Sequence, residues 1–307
     1  MTPLHRPMVG SEVVVVAPAS LGTVERMERG LDALTKLGFS VTTREGRPPG
    51  PRHYLASDDA SRAAELLDAA GSDTAGMIWA LRGGFGCMRT LEVADRERLC
   101  RRYAKHRRPL VGFSDCTVLL NWLTQRTGVP TLHGPVVTQL PDLSSEAHSA
   151  LVHFLTGPGG NDGSDVFDRP LEVLLDGEVL APIYGGNLSV LTSLIGTPWF
   201  PSLAGAILFV EDVGEPTYRI DRFFSQLRLS GSLDGIAGLL FGHFSGVRGG
   251  DAVALAHLQA ELVAGLGVPA LRGAPCGHEA DNHPLALGVP VHLHGGRLRY
   301  ARSVWAS

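Results

Sequence analysis

The first 130 residues alternate between short apolar runs and amphipathic segments, and this alternation constrains the fold more than any other feature. "SEVVVVAPAS" (11–20) contains an unbroken β-branched run of the kind found in buried parallel strands and ends in a turn. "TVERMERGLDALTKL" (23–37) follows with helical spacing of its apolar residues, and Gly38 marks its end. The same order of strand and helix recurs at "GMIWAL" and "PLVGF". The alternation predicts a parallel sheet covered by helices on both faces.

This regular pattern fades near residue 140. Residues 156–165, "TGPGGNDGSD", have the Gly, Asp and Asn content of a linker. Beyond residue 170 short strands with Gly-rich turns predominate, and helices are interspersed among them. We therefore predict an α/β fold in three parts. They are an N-terminal Rossmann- or flavodoxin-like domain over residues 1–142, a linker over 143–172, and a smaller, β-rich α+β domain over 173–307.

Composition and charge limit the classes of partner. The 307 residues are 44% hydrophobic and 19% charged, which is ample for buried cores. A net charge of −4 and a pI near 6.3 argue against nucleic acid as a partner. The basic run "RERLCRRYAKHRR" (96–108) is interpreted as a solvated helix face.

Apolar runs and cysteines bear on the compartment. The apolar run near the start is far shorter than the roughly 20 residues of a membrane span, and it lacks the pattern of a secretion signal. We therefore expect no contact with a membrane. The four cysteines have neither CxxC nor zinc spacing, which indicates a reduced, cytoplasmic protein. An exported protein whose signal has been removed would look the same.

Two turns follow predicted parallel strands, where ligands bind in open sheets. "RGGFG" (82–86) follows one strand, and "SDCT" (114–117) follows another. Glycines at 83, 84 and 86 allow backbone N–H groups to approach a ligand, as in an oxyanion hole or a phosphate cradle. The spacing is neither GxGxxG nor a P-loop, and a simple tight turn explains it equally well.

Ser114 stands between a strand and a helix, as the serine of a nucleophile elbow does. GFSDC is not GxSxG, however. A serine at a helix N-terminus gains from the helix dipole and from free N–H groups, and so does the neighbouring Asp115. The local residues alone favour an N-cap serine over a nucleophile.

A nucleophilic hydroxyl needs a base, and the base needs an orienting acid. His278 lies in the polar loop "PCGHEADNHPLALG", and Glu211 ends the apolar run "GAILFVED". An ion pair of Glu211 with Arg219 or Arg222 is the alternative explanation. A metal site at His278 would use Glu279, Asp281 and His283. Their spacing matches no zinc motif, so we predict neither a metal nor an organic cofactor.

Several longer motifs resemble one family. "APAS", "LRGGFGCMR", "LVGFSDCT" and "HGPVV" occur in the first half, followed by "YGGNLSVLTSLIGTPWFP", "ILFVEDVGEPTYRIDRFFSQL" and "GHE". In this order they resemble the LD-carboxypeptidases, which are serine peptidases that trim murein peptides. They also resemble the relatives of these enzymes that hydrolyse microcin C-type peptide–nucleotides. The resemblance spans nearly the whole chain.

The resemblance implies roles for particular residues. Ser114 matches the nucleophile, Glu211 the acid and His278 the base. The backbone N–H groups of Gly84 and Asp115 match the oxyanion hole, with Gly83 as the alternative to Gly84. The site should then lie between the two predicted domains, because Ser114 belongs to the first and the other two side chains belong to the second.

A carboxypeptidase needs a group that binds the carboxylate at the end of its substrate. Arg82 and Gly83 are candidates, although Arg82 is equally suited to a structural ion pair. Phe85 stands where the family commonly has tyrosine. The resemblance implies a cytoplasmic serine LD-carboxypeptidase that removes the terminal D-Ala of murein tetrapeptides, and we expect a homodimer. The alternatives are a microcin-type peptide–nucleotide hydrolase and, with less support, a non-catalytic ligand-binding protein.

Overall fold

The computed structural model describes residues 1–44, 52–247 and 252–306. Its first sheet has the strand order β11-β5-β4-β3-β1-β2. These strands are β1 (Glu12–Val16), β2 (Ser40–Thr43), β3 (Ala75–Ala80), β4 (Leu110–Gly112), β5 (Thr131–His133) and β11 (Leu285–Leu287). All neighbours are parallel except β11, which runs antiparallel to β5. The predicted parallel sheet is confirmed.

Helices lie between the strands β1 to β5 of this sheet or follow them, as the alternating pattern predicted. They are α1 (Val24–Lys36), α2 (Asp59–Gly71), α3 (Cys87–Val93), α4 (Arg96–His106), α5 (Thr117–Thr127) and α6 (Ser145–Thr156). Thr23 caps α1 by accepting a bond from the N–H of Arg26, which fixes where the helix begins. Gly30 lets α1 pack closely on the segment after β5, because a Cβ there would lie 2.4 Å from the Val137 carbonyl oxygen.

The second sheet has the order β13-β12-β7-β8-β9-β10-β6. Its strands are β6 (Glu172–Leu175), β7 (Val179–Asn187), β8 (Ile207–Val213), β9 (Gly238–Ser245), β10 (Ala270–Arg272), β12 (Pro290–His294) and β13 (Arg297–Tyr300). Strands β7 to β10 are parallel, and the outer strands are antiparallel to their neighbours. The accompanying helices are α7 (Leu188–Ser193), α8 (Thr217–Leu229) and α9 (Ala252–Leu266).

The two sheets share a continuous apolar core and are joined by polar contacts. Asn121 on α5 both donates to the Gly185 carbonyl (2.8 Å) and accepts from the Gly185 N–H (2.9 Å) on β7. The Thr117 hydroxyl oxygen accepts from the Asn187 N–H at 3.0 Å. These bonds hold the start of α5 against the end of β7. The domain limits at residues 142 and 173 stay a prediction, and β11 crosses from the second segment into the first sheet.

None of the helices within the three described ranges is both long enough and apolar enough to cross a membrane.

Candidate active site

The two turns selected from the sequence lie side by side. Strands β3 and β4 are parallel neighbours, so residues 82–86 and 114–117 leave the same edge of the sheet. A Cβ on Gly83 would lie only 2.9 Å from Ser114 Oγ and 3.3 Å from the Asp115 nitrogen. Glycine at 83 therefore allows the first turn to rest directly on the nucleophile candidate. Both turns therefore face one crevice.

Ser114 has a strained backbone. Its φ is +61°, in the left-handed region that residues other than glycine seldom adopt. It begins a short 3-10 turn, Ser114–Cys116, that leads into α5. No side-chain capping bond is made at the start of the 3-10 turn or of α5, so the simple N-cap explanation is not supported. Strain without a capping bond is typical of a residue held for function.

Glu211 and His278 form a hydrogen-bonded pair. His278 Nδ1 lies 2.7 Å from Glu211 Oε2, and the Glu211 side chain is fully buried near the carboxyl end of β8. Gly277 has a φ of +136°, and a Cβ there would lie 3.0 Å from the same carboxylate oxygen. Glycine before His278 therefore makes room for the acid. The Phe113 ring packs on the imidazole at 4.6 Å between centroids and fixes its plane.

The pair sets the protonation of the imidazole. Burial lowers the pKa of His278, but the charge and hydrogen bond of Glu211 outweigh it, so the net pKa lies above the ordinary value of 6.5. A carboxylate on Nδ1 holds the proton of the neutral ring on that nitrogen. Nε2 is then the basic nitrogen. This is the arrangement of a general base with its orienting acid.

The residues that would support the alternative explanations, an ion pair of Glu211 or a metal site in the histidine loop, contact other groups instead. Arg219 pairs with Glu215 (Nε–Oε2 3.0 Å), and Arg222 lies over the ring of Tyr218 at 5.4 Å. An ion pair of Glu211 with either arginine is therefore wrong. The four metal-ligand candidates do not come together either. Asp281 binds Arg169 and His283, and the described ranges hold no group of three potential metal ligands.

Two backbone N–H groups beside Ser114 are free. The N–H groups of Gly84 and Asp115 have no acceptor among the residues that the structure describes. The Asp115 side chain is buried, and its Oδ2 accepts from the Cys87 N–H at 2.8 Å, which ties the two turns together. Burial raises the pKa of this carboxyl. Free donors on both sides of a serine are what an oxyanion hole requires.

A cavity of about 490 Å³ brings these groups together. Ser114, His278, Gly83, Gly84 and Arg82 all line it. No hydrogen bond joins Ser114 to His278 within the described chain, and bonds of this kind often tighten only when substrate binds. Ser114 and His278 therefore line the same cavity.

The cavity continues into a second one of about 760 Å³ through Arg26, Arg82 and Gly84, which line both. Neither guanidinium has an ion-pair partner in the described ranges, although nearby Arg29 binds Asp142 at 2.9 Å. The structural ion pair considered for Arg82 is thus absent from these ranges. Two unpaired cations in a cleft suit an anionic ligand.

Sequence reasoning missed the residues that hold the histidine loop. The Oδ1 of Asn282 accepts from the Gly277 N–H at 3.0 Å, and its Nδ2 donates to Gln139 Oε1 at 2.8 Å. Gln139 in turn donates to the Glu279 carbonyl at 3.0 Å. The two bonds made by Gln139 span 140 and 143 residues, so the isolated amides gave no local signal. They fix the loop that carries His278.

The four cysteines are free thiols, and two of them lie near the site. Cys87 and Cys116 are each 1% exposed. A hydrogen bond to Cys116, together with burial, raises the pKa of the Cys87 thiol well above its ordinary value. A protonated, buried thiol is a packing group rather than a nucleophile.

The chain is similar to one group of peptidases. Residues 13–134 match the LD-carboxypeptidase N-terminal domain, and residues 181–293 match the LD-carboxypeptidase C-terminal domain. The murein tetrapeptide carboxypeptidase of Pseudomonas aeruginosa is 33% identical, with 95% of this chain and 96% of that protein covered.

Solved structures agree with the sequence matches. The crystal structure of muramoyltetrapeptide carboxypeptidase from Oxalobacter formigenes has a TM-score of 0.79 and 28% identity, and it covers 94% of this chain and 97% of its own. The microcin C7 self-immunity protein MccF of Escherichia coli is 25% identical over 90% of this chain and 88% of its own length. Its apo structure shares the fold, with a TM-score of 0.85.

Proposed function

The chain belongs to the LD-carboxypeptidase family of serine peptidases, and we propose that it releases the terminal D-Ala of murein tetrapeptides. The observation that carries the proposal is the 2.7 Å pair of Glu211 and His278 in the chamber that holds the strained Ser114. The relative from Pseudomonas aeruginosa, named for this substrate, supports the substrate class.

His278 acts as the general base. Its Nδ1 proton is held by Glu211, so Nε2 accepts the proton of the Ser114 hydroxyl as the oxygen attacks the scissile carbonyl. The C–N bond to D-Ala then breaks, and the imidazolium returns the proton to the leaving amine. Glu211 stabilises the imidazolium through its charge, and its carboxylate is fully buried.

The tetrahedral intermediate places a negative oxygen beside the free N–H groups of Gly84 and Asp115. These donors are fixed before the reaction, so no reorganisation is needed as the charge develops. Water activated by the same imidazole then hydrolyses the ester on Ser114 and regenerates the enzyme. No step needs a metal, so EDTA should leave the rate unchanged.

A carboxypeptidase must distinguish a chain end from a chain interior, and the terminal carboxylate is the group that differs. Arg82 and the Gly83 turn border the cavity beside Ser114, and Arg26 adds a second unpaired cation. Charge-assisted hydrogen bonds of roughly 1.5–3 kcal/mol each would favour the carboxylate form of the substrate. We assign the binding of the D-Ala carboxylate to Arg82 and Gly83.

The test is an incubation with L-Ala-γ-D-Glu-meso-diaminopimelate-D-Ala, in which free D-Ala is measured. The wild type should release D-Ala, and Ser114→Ala should lower the rate by about 10⁴-fold or more. The variant should unfold at nearly the same temperature, since Ser114 makes no capping bond. A fully active Ser114→Ala protein would remove the triad from consideration.

Hydrolysis of a peptide–nucleotide is the second candidate, since MccF is a relative over most of the chain. The same triad would cleave either substrate, so the reaction chemistry does not separate them. An aminoacyl sulfamoyl adenosine offered beside the tetrapeptide does. A higher kcat/KM for the nucleotide would favour the microcin-type activity.

The compartment and the assembly are further parts of the proposal. Free thiols at Cys87, Cys100, Cys116 and Cys276 fit a reducing, cytoplasmic location. A homodimer is expected, and sedimentation at several concentrations measures it. Fractionation of cells that express the protein measures the location.

A further inference from the structure

The turn after β1 touches the glycine turn of the active site through one hydroxyl. Ser20 is 6% exposed, and its Oγ donates to the Gly83 carbonyl oxygen at 2.6 Å. The Ser20 N–H donates to the same oxygen at 3.3 Å. Two donors from one residue therefore hold this carbonyl, and the catalytic steps described above use neither.

The held carbonyl sets the direction of the neighbouring N–H. A trans peptide is planar, so the Gly83 C=O and the Gly84 N–H point in opposite directions. With the carbonyl directed at Ser20, the Gly84 N–H points away from that residue. It has no acceptor in the described chain, and Gly83 rests against Ser114.

This peptide lies between two glycines and needs an external restraint. Glycine adopts many φ and ψ values at little cost, so the Gly83–Gly84 peptide can rotate without a side chain to oppose it. Gly84 has a φ of +98°, and a Cβ there would lie 2.3 Å from Ser20 Oγ. A side chain at position 84 would displace the hydroxyl, so glycine there is what allows Ser20 to reach the Gly83 carbonyl.

We propose that Ser20 is a positioning residue for the oxyanion hole, because its hydroxyl orients the Gly83–Gly84 peptide so that the Gly84 N–H meets the developing negative charge. The inference rests on the proposed function, in which Ser114 attacks a carbonyl beside that N–H. Ser20 itself touches neither the substrate nor the reacting atoms.

Ser20→Ala removes the hydroxyl and tests the assignment. Loss of one oxyanion donor costs about 10²–10³-fold in kcat, and a misdirected donor should approach this, so we expect a fall of about 10–100-fold. KM should change by less than about 3-fold, because the ground-state carbonyl depends little on the hole. The pH at the midpoint of the acidic limb should stay in place, because the Glu211–His278 pair is untouched. Ser20→Thr, which keeps the hydroxyl, should recover most of the rate.

Thr192→Val is the matched control. Thr192 is 3% exposed, and its hydroxyl donates to the Leu188 carbonyl at 2.8 Å, a buried bond of the same kind on α7. It should lower the unfolding temperature about as much as Ser20→Ala while kcat stays near the wild-type value. The role of Ser20 would be overturned if Ser20→Ala kept a kcat within twofold of wild type. It would also be overturned if Thr192→Val lost as much kcat as Ser20→Ala, because the loss would then reflect stability. Either result would leave the proposed function in place. A wild type that releases no D-Ala would overturn the proposed function, and the role of Ser20 with it.

Discussion

At the scale of single residues, position decides chemistry more than residue type. The structure describes several histidines, and His278 is the one that combines a buried carboxylate on Nδ1 with a wall of the serine's cavity. His133 is fully buried nearby, yet neither of its ring nitrogens has a partner in the described ranges. The same imidazole is placed to act as a base in one position and packs among apolar groups in the other.

Glu211→Gln should separate the charge of the acid from its shape. The glutamine still fills the site, but the imidazolium loses its counter-charge, so kcat/KM should fall by about 10²–10⁴-fold. Because Glu211 is what raises the pKa of His278 against burial, the acidic limb of the pH profile should move to lower pH. Rates of D-Ala release between pH 5 and 9 measure both effects.

Glu215→Gln is the comparison, because Glu215 pairs with Arg219 and not with the imidazole. It should keep most of the activity and leave the acidic limb in place. A large loss in Glu215→Gln with a small loss in Glu211→Gln would mean that Glu215, and not Glu211, is the acid.

The thiols beside the site should be dispensable. Cys87 and Cys116 are both buried, and the pKa of the Cys87 thiol is raised, so both are placed as packing groups rather than accessible nucleophiles. Cys87→Ser and Cys116→Ser should each keep activity within about an order of magnitude, the range expected when only packing is disturbed. A folded but inactive single variant, identified by circular dichroism and the D-Ala assay, would reopen a thiol mechanism.

At the scale of elements, the short strand β5 carries a group that responds to acid. Burial lowers the pKa of His133 to about 4, and its ring packs on Phe209 at 4.9 Å. Between pH 6.5 and 4 the unfolded chain takes up a proton that the folded chain does not. The free energy of unfolding should therefore fall as the pH falls through this window.

His133→Phe should reduce this acid sensitivity. The difference in unfolding temperature between pH 7 and pH 5 should be smaller than in the wild type, as calorimetry can show. His148→Gln changes an exposed histidine and should leave the difference as it was. An unchanged difference in His133→Phe would mean that other groups cause the acid response.

How much could be predicted from the sequence depends on the range of each interaction. Strand β1 and helix α1 have local periodicity and a local cap, so the prediction of both is confirmed. The three-residue strands β5 and β11 were not predicted, since their pairing is long-range and too short to show a period. Helix α9 was missed as well.

The residues of the candidate site also differ in whether a local sequence pattern identified them. The motif around Ser114 identified the turn, and the structure brings it together with His278 and Glu211. The bonds of Ser20 to Gly83 and of Asn282 to Gln139 join residues 63 and 143 positions apart, so no local spacing rule connects them. Roles for all of these residues stay proposals until kinetics test them.

At the scale of the whole molecule, the site draws on both sheets. Ser114 follows β4 of the first sheet, and Glu211 lies near the carboxyl end of β8 of the second. Asn121 and Thr117 on α5 bond to β7, which holds the two halves in register. The catalytic geometry therefore depends on packing between the halves, and a cleft between two such units is a usual place for a ligand.

The cations in this cleft lead to a prediction about the substrate end. Arg82→Gln removes one unpaired guanidinium from the cavity wall. The kcat/KM of the variant should fall strongly for the substrate with a free D-Ala carboxylate and little for the D-Ala amide. The ratio of the two kcat/KM values should therefore shrink by about 10-fold. An equal loss on both substrates would assign Arg82 to the structure of the turn.

The most direct test of the central claim compares three forms of one tetrapeptide on the wild type and on Ser114→Ala. The forms end in D-Ala, D-Ala amide and L-Ala. The account predicts rapid release from the D-Ala form and a kcat/KM about 10–100-fold lower for the amide, since a charge-assisted bond is lost. It predicts little cleavage of the L-Ala form, whose methyl group is misplaced when the carboxylate and the scissile carbonyl are both held. Ser114→Ala should cleave none of them. Equal wild-type rates on all three, or activity that survives in Ser114→Ala, would contradict a serine carboxypeptidase that recognises a D-Ala terminus.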